Sequence, residues 1–252
     1  MGFDLTVVDA FTATPYSGNP AAVAKVTEFP DVEVMQRIAA EMNLSETAFV
    51  AERADGAWEL RWFTPTLEVD LCGHATLATA HVLGGSATFH TKSGVLRCTR
   101  ARDGWIEMDF PTDPPTSLPP PSEVVFDNLE WWGTGRALFV AELGSADDVR
   151  GYVPDLSALA ALGAPVIVTA PGDRDGIDCV SRVFAPTLGI AEDPVTGAAH
   201  CALGPYWAPR VGRTELVGEQ ASRRGGTVRM RVLGDRVVLG GQAVTVATVR
   251  MG

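Results

Sequence analysis

Lysine is almost missing from this sequence. Of 20 basic side chains only Lys25 and Lys92 are lysines, and neither lies in a Gly-rich or otherwise site-like stretch. A pyridoxal enzyme needs a lysine held in its site for the Schiff base, so that class is disfavoured. Cysteine is scarce as well. Cys72, Cys98, Cys179 and Cys201 form no CxxC pair, which fits free thiols in a reducing compartment better than a disulfide framework. No apolar run reaches the roughly 20 residues that span a bilayer, and residues 1 to 20 lack a signal-peptide pattern. A soluble, cytoplasmic protein is expected. Positive charge is outweighed, 20 Lys+Arg against 31 Asp+Glu, for a net charge of −11. Such a chain is a poor partner for nucleic acid or anionic membranes. The run GTGRAL at 133 to 138 lacks the third small residue and the following helix of a dinucleotide fingerprint. No HExxH or comparable metal spacing occurs, so no metal is expected.

What the chain does hold is a repeat. With 252 residues, 46% hydrophobic and 20% charged, it can form one large or two modest domains. Residues 63 to 83 read FTPTLEVDLCGHATLATAHVL, and residues 184 to 203 read FAPTLGIAEDPVTGAAHCAL. Phe63, Pro65, Thr66 and Leu67 match Phe184, Pro186, Thr187 and Leu188 at a constant offset of 121, which carried on pairs Cys72 with Asp193 and Gly73 with Pro194. Each copy is a β-rich run, a Pro turn, a small-residue loop and an Ala-rich helix. Two similar halves are implied. Each would expose a helix N-terminus whose unpaired N–H groups and positive dipole end attract anions. The two are expected to face each other across a cleft, where local dipoles would draw in an anionic substrate against the net charge.

Residues 3 to 10 alternate as a strand, and the SGNP turn around Asn19 is either a plain turn or a loop lining the site. Asp31 is placed to cap a helix that ends near Asn43. Glu46 follows in a loop before an apolar strand. A carboxylate in such a setting can exchange protons near neutrality, whereas the bland alternative has Ser45 and Glu46 satisfying backbone donors. Gly73 permits close backbone approach, and His74 opens a small-residue helix from Ala75 to Leu83, where the dipole predicts a neutral ring. His81 sits seven residues on. Strands with turns at 93–94 and 103–104 follow, and then a linker, PTDPPTSLPPPSE, over 111 to 123. In the second half Asp193 is either a solvated N-cap or a site residue. Thr196, Gly197 and Ala198 form an anion nest by composition. SRRGG at 222 to 226 is either a surface turn or the wall of an anion pocket.

The stretches VDAFTATPYSGNPAAVA, NLSETAFV, FTPTLEVDLCGHATLA and FAPTLGIAEDPVTGAAH, in this order, resemble the phenazine-biosynthesis isomerase (PhzF-like) family. The resemblance implies an α+β fold of the diaminopimelate epimerase type: two pseudo-twofold-related domains, each a β-sheet or barrel wrapped around a central helix. They are expected at 1–114 and 115–243, with a last strand at 244–252 returning to the first. It implies a homodimer, no cofactor, and a small carboxylate as partner. It casts Glu46 as proton shuttle, with His74 and Asp193 assisting, and Asn19, Ser45, Gly73, Ala75, Thr196, Gly197 and Ala198 as substrate contacts. The sequence departs from the family pattern at Ala198, where a serine is usual, and at 225 to 227. Those departures leave open a catalytically idle binding homologue; a further alternative is an epimerase that depends on Cys72, the one loop cysteine, opposite Asp193 in the repeat.

Overall fold

The computed structural model describes residues 2–122, 124 and 126–252. They form two compact units. One holds the described residues up to Asp109 together with Gly240–Gly252, and the other is Phe110–Leu239.

In the first unit β1 (Phe3–Ala10) runs antiparallel to both β2 (Asn19–Val26) and the C-terminal strand, residues 243 to 251. Helix α1 (Val32–Met42) then crosses over, so that β3 (Glu46–Glu52) lies parallel to β2. Its N-cap is Asp31 and its C-cap is Asn43, in the left-handed conformation that asparagine tolerates. Met35, Ile38 and Ala39 face the sheet, against a core in which Phe49 and Phe63 meet edge to face at 5.6 Å. Next come β4 (Trp58–Phe63), antiparallel to β3, and the two-residue β5 (Glu68–Val69). Helix α2 (Gly73–Val82) is the second crossover. It leads to β6 (Ala87–Thr91), parallel to β4, and the meander closes through β7 (Gly94–Arg100) and β8 (Ile106–Pro111).

Helix α2 is buried at every position from His74 to Ala80. A helix enclosed on all sides must be thin and must satisfy its own polar groups. Alanine supplies the thinness. Thr76 and Thr79 each donate their hydroxyl to the carbonyl four residues back, on Cys72 and Ala75. Close approach also needs Gly241, where a Cβ would stand 2.5 Å from Leu77 Cδ2.

The second unit repeats that connectivity. After β9 (Thr116–Ser117), β10 (Leu129–Thr134) and β11 (Phe139–Leu143) pair antiparallel. Helices α3 (Ala146–Gly151) and α4 (Leu156–Ala161) form the crossover to β12 (Val166–Pro171), parallel to β11, which pairs antiparallel with β13 (Cys179–Ala185). A 3-10 turn, Pro186–Leu188, and β14 (Ile190–Asp193) lead into α5 (Gly197–Val211). That helix crosses to β15 (Glu215–Gln220), parallel to β13 and antiparallel to β16 (Gly226–Leu233); β17 (Arg236–Gly241) and β18 (Ala243–Met251) complete the chain. Each unit is thus a twice-crossed sheet with a buried helix as its second crossover. This is the α+β, epimerase-like architecture that the resemblance implies.

Two expectations need correction. The stretch after Pro111 is no bare linker: Thr112 and Asp113 donate their N–H groups to Asp235 and Cys201 carbonyls at 2.9 Å each, and β9 pairs with β10. Its last residue, Glu123, lies outside the described residues. The repeat offset also drifts. Strands β4 and β13 start 121 residues apart, at Trp58 and Cys179, but α2 and α5 start 124 apart, at Gly73 and Gly197. The structural counterpart of Cys72 is therefore Thr196, the N-cap of α5, and not Asp193, because one extra residue, Gly189, precedes β14 and β14 is two residues longer than β5. As expected, no helix follows 133 to 138; the stretch forms the hairpin between β10 and β11, closed by Gly135 N–H to Leu138 O.

Candidate functional site

Three chain segments of the first unit end at one place. The β1–β2 loop turns back through Gly18 at φ +65°, where a Cβ would lie 2.2 Å from Ala10 O, so only glycine fits this turn. It delivers Asn19, opposite Ala10, as the fully buried first residue of β2. Glu46 is the first residue of β3, set beside Ala21 by the parallel ladder. It belongs to the strand and not to the loop before it, so its backbone is fixed by sheet pairing. Cys72 is the N-cap of α2, and His74 stands in the first turn.

Their side chains converge. His74 Nε2 lies 2.9 Å from Glu46 Oε2, with side-chain exposures of 6% and 13%. The two atoms are at ion-pair distance but outside hydrogen-bond geometry, and neither has a hydrogen-bond partner among the described residues. On the other ring edge, Nδ1 is 3.2 Å from the Asn19 amide nitrogen and 3.5 Å from Cys72 Sγ. Beyond this ion-pair contact with each other, the two atoms are left unmet among the described residues, and a ligand that hydrogen-bonds both would satisfy them.

The ionisation of His74 reverses the expectation from the helix dipole. Burial pulls the imidazole down, but the Cys72 sulfur and the Glu46 carboxylate pull it up further, and the net is well above the ordinary value. Burial, then the Glu46 charge, push the Cys72 thiol up, so near neutrality Glu46 is the effective counter-charge. The direct carboxylate contact outweighs the partial charge of a short helix. Half-buried Ser45 precedes Glu46, and Ala75 follows His74 inside the helix. His81 turns elsewhere, with Nε2 3.1 Å from Thr245 Oγ1.

In the second unit, the start of α5 is clamped. Gln220, the fully buried last residue of β15, accepts from Thr196 N–H at 2.8 Å and donates to Asp193 O at 2.7 Å. Ser222 Oγ donates to Pro194 O at 2.7 Å and accepts from Gly225 N–H at 3.1 Å. The serine of SRRGG is therefore a brace for the EDPVTG turn. Thr196 gives its hydroxyl to Asp193 Oδ2 in a short hydrogen bond instead of capping its own helix. With Thr196 N–H taken by Gln220, the amides left on this turn for an anion begin at Gly197 and Ala198. Glu192 is held by both Arg182 nitrogens, at 2.7 and 3.0 Å, so it is structural.

His200, one turn into α5, donates Nδ1–H to Thr196 O at 2.8 Å. Its Nε2 has no partner among the described residues, and burial lowers the pKa to about 4. All four cysteines are unpaired, and burial drives Cys98, Cys179 and Cys201 up to about 12. Sequence reading missed Gln220. It lies 24 residues from Thr196, and nothing in its neighbours marks it. Among the described residues no helix is long and apolar enough to cross a membrane.

Comparison with known proteins agrees with this architecture. A sequence model described as phenazine biosynthesis-like protein matches residues 8–249. An uncharacterized isomerase of Halalkalibacterium halodurans is 44% identical over 253 residues, 95% of either chain. An uncharacterized isomerase of Pseudomonas aeruginosa is 45% identical over 100% of this chain and 99% of its own. The crystal structure of a PhzF-family phenazine biosynthesis protein from Enterococcus faecalis is 40% identical and superposes over 100% of both chains with a TM-score of 0.94. The chain belongs to the phenazine biosynthesis-like protein family, an enzyme family whose curated bacterial members here are named isomerases.

Proposed function

We propose that this enzyme moves a proton between two carbons of a small carboxylated substrate by general acid–base catalysis, with no metal or organic cofactor. The observation that carries the reading is the Glu46–His74 contact: a carboxylate and an imidazole 2.9 Å apart, whose facing atoms Oε2 and Nε2 are buried and have no hydrogen-bond partner among the described residues.

Glu46 takes the proton from a carbon activated by a neighbouring carboxylate or double bond. The electron pair left behind spreads into that neighbour. The Glu46 carboxyl then returns the proton to the far carbon, so atoms and charge balance without a further reagent. His74, whose cationic form is favoured beside Glu46, stabilises the charge that develops. Asp193 orients the substrate, and the amides at Gly73, Gly197 and Ala198 hold its carboxylate. Asn19, Ser45, Ala75 and Thr196 complete the contacts. A homodimer belongs to this reading on resemblance alone, and light scattering after gel filtration checks it.

The test is a panel of small cyclic and unsaturated carboxylates in D₂O, followed by proton NMR and by thermal shift. Exchange at a carbon next to the unsaturated or carboxylated group is expected for at least one binder. Stabilisation by many ligands with exchange in none would identify a binding homologue instead.

A second reading, an epimerase that uses Cys72, draws on the 3.5 Å approach of its sulfur to His74. The upward shift of the thiol counts against it. It predicts inactivation by thiol alkylation with protection by substrate, whereas the Glu46 reading predicts that exchange is lost without loss of any thiol.

A further inference from the structure

We propose that Glu46, Cys72 and His74 form a zinc site, and that a soft or borderline divalent cation such as Zn²⁺ reversibly blocks the enzyme by occupying it. One ligand atom from each of the three residues lies within 4.8 Å of the others. Tetrahedral zinc with bonds of about 2.0 to 2.3 Å holds its ligand atoms about 3.3 to 3.6 Å apart. Glu46 Oε2 approaches Nε2 of His74 at 2.9 Å and Cys72 Sγ approaches Nδ1 at 3.5 Å, on opposite ring edges, so one of the two must swing to the other's ring nitrogen to close the set. An independent observation points to a ligand here: His74 Nε2 and Glu46 Oε2 are buried polar atoms with no hydrogen-bond partner among the described residues.

The donor set selects the ion. One sulfur, one imidazole and one carboxylate suit zinc, whereas Mg²⁺ and Ca²⁺ require oxygen ligands. The charges also balance. As the Zn–S and Zn–N bonds form, Cys72 and the cationic His74 each give a proton to the buffer, and thiolate and carboxylate together cancel the two charges of the ion. Three protein ligands leave the fourth position to water.

This proposal uses the same side chains as the isomerase reading but does not rest on it. A zinc titration contains no substrate, so either can fail while the other stands. The protein, stripped of metal, is titrated with Zn²⁺ against a chromophoric chelator, and with Co²⁺ for its thiolate-to-metal absorption. One equivalent per chain is expected, with a cobalt–thiolate band, no uptake of Mg²⁺, and full reversal by chelator. Cys72→Ser should remove the band and weaken zinc by more than the roughly tenfold to hundredfold that even an outer partner costs. Cys98→Ser, in β7, should change neither. Should Cys72→Ser fail to fold, the alkylation rate of Cys72, read by mass spectrometry, decides: one equivalent of Zn²⁺ must slow it. No stoichiometric binding, bound cobalt without a thiolate band, a band that survives Cys72→Ser, or an unprotected Cys72 would overturn the proposal.

Discussion

His74 and His200 sit in the opening turns of two helices with the same place in the topology, and both are buried, yet their protonation is driven in opposite directions. His74 faces a carboxylate, and its pKa is raised well above the ordinary value. His200 has only the Thr196 carbonyl as its named partner, and burial takes it down to about 4. The backbone context is shared, so the difference lies in what the neighbouring strands bring. Strand β3 opens on Glu46, while β15 closes on the neutral Gln220. One helix start is left with unmet polar atoms. The other is braced by Gln220 and Ser222 until its named polar groups have partners, His200 Nε2 excepted. A duplicated fold has diverged at its two helix starts: one faces a carboxylate, and the other is braced by a side-chain amide and a serine.

Substitutions can break this contrast in turn. The largest effect is expected from His74→Ala, which removes the cationic partner of Glu46. Turnover of the identified substrate should fall by roughly 10²–10⁴-fold with little change in thermal stability. A fall no larger than that of a surface control would return His74 to a structural role.

His200 gives a stability effect with a defined sign. Its folded pKa of about 4 lies below the unfolded value of about 6.5, so the unfolded chain binds the proton more readily between them. The stability contributed by the neutral ring is complete above about pH 6.5 and falls as pH drops towards 4, by about 3 kcal/mol at most. Urea midpoints at pH 7 and pH 4.5 should differ less in His200→Gln than in the parent. An equal difference in both would remove His200 as the source.

Gln220→Ala comes next. It strands Thr196 N–H and Asp193 O, at a cost of about 1–3 kcal/mol. If Gln220 mounts the Asp193 turn, KM should rise more than kcat falls, and Gln220→Glu should not restore it, because a carboxylate accepts from Thr196 but cannot donate to Asp193 O. Ser222→Ala, which removes one exposed-side brace, is the smallest at about 1 kcal/mol by melting temperature. A larger loss from Ser222 than from Gln220 would reverse the ranking of the two braces.

The sequence made the architecture legible because it carries the fold signal twice. Proline, small residues and an Ala-rich helix recur after two β-rich runs, and the helix bounds of α1 follow from Asp31 and Asn43. Glu46 and His74 were visible as chemistry-bearing types in unusual surroundings. What stayed hidden depends on distance in the chain or on atoms. The three-residue drift from Gly73 to Gly197 arises at Gly189 and in β14, after the last matched leucine, where no identity marks it. The brace from Gln220 joins residues 24 apart through a side-chain amide. The sign of the His74 shift turns on a 2.9 Å contact across two elements, which a helix-dipole argument cannot contain.

The central claim is that Glu46 carries the proton, and solvent-deuterium exchange in Glu46→Gln tests it most directly. Glutamine keeps the shape and removes the base. The account predicts that this variant still binds the substrate, within about tenfold of the parent, while deuterium incorporation at the reacting carbon disappears. Exchange at the parent rate in Glu46→Gln would contradict it.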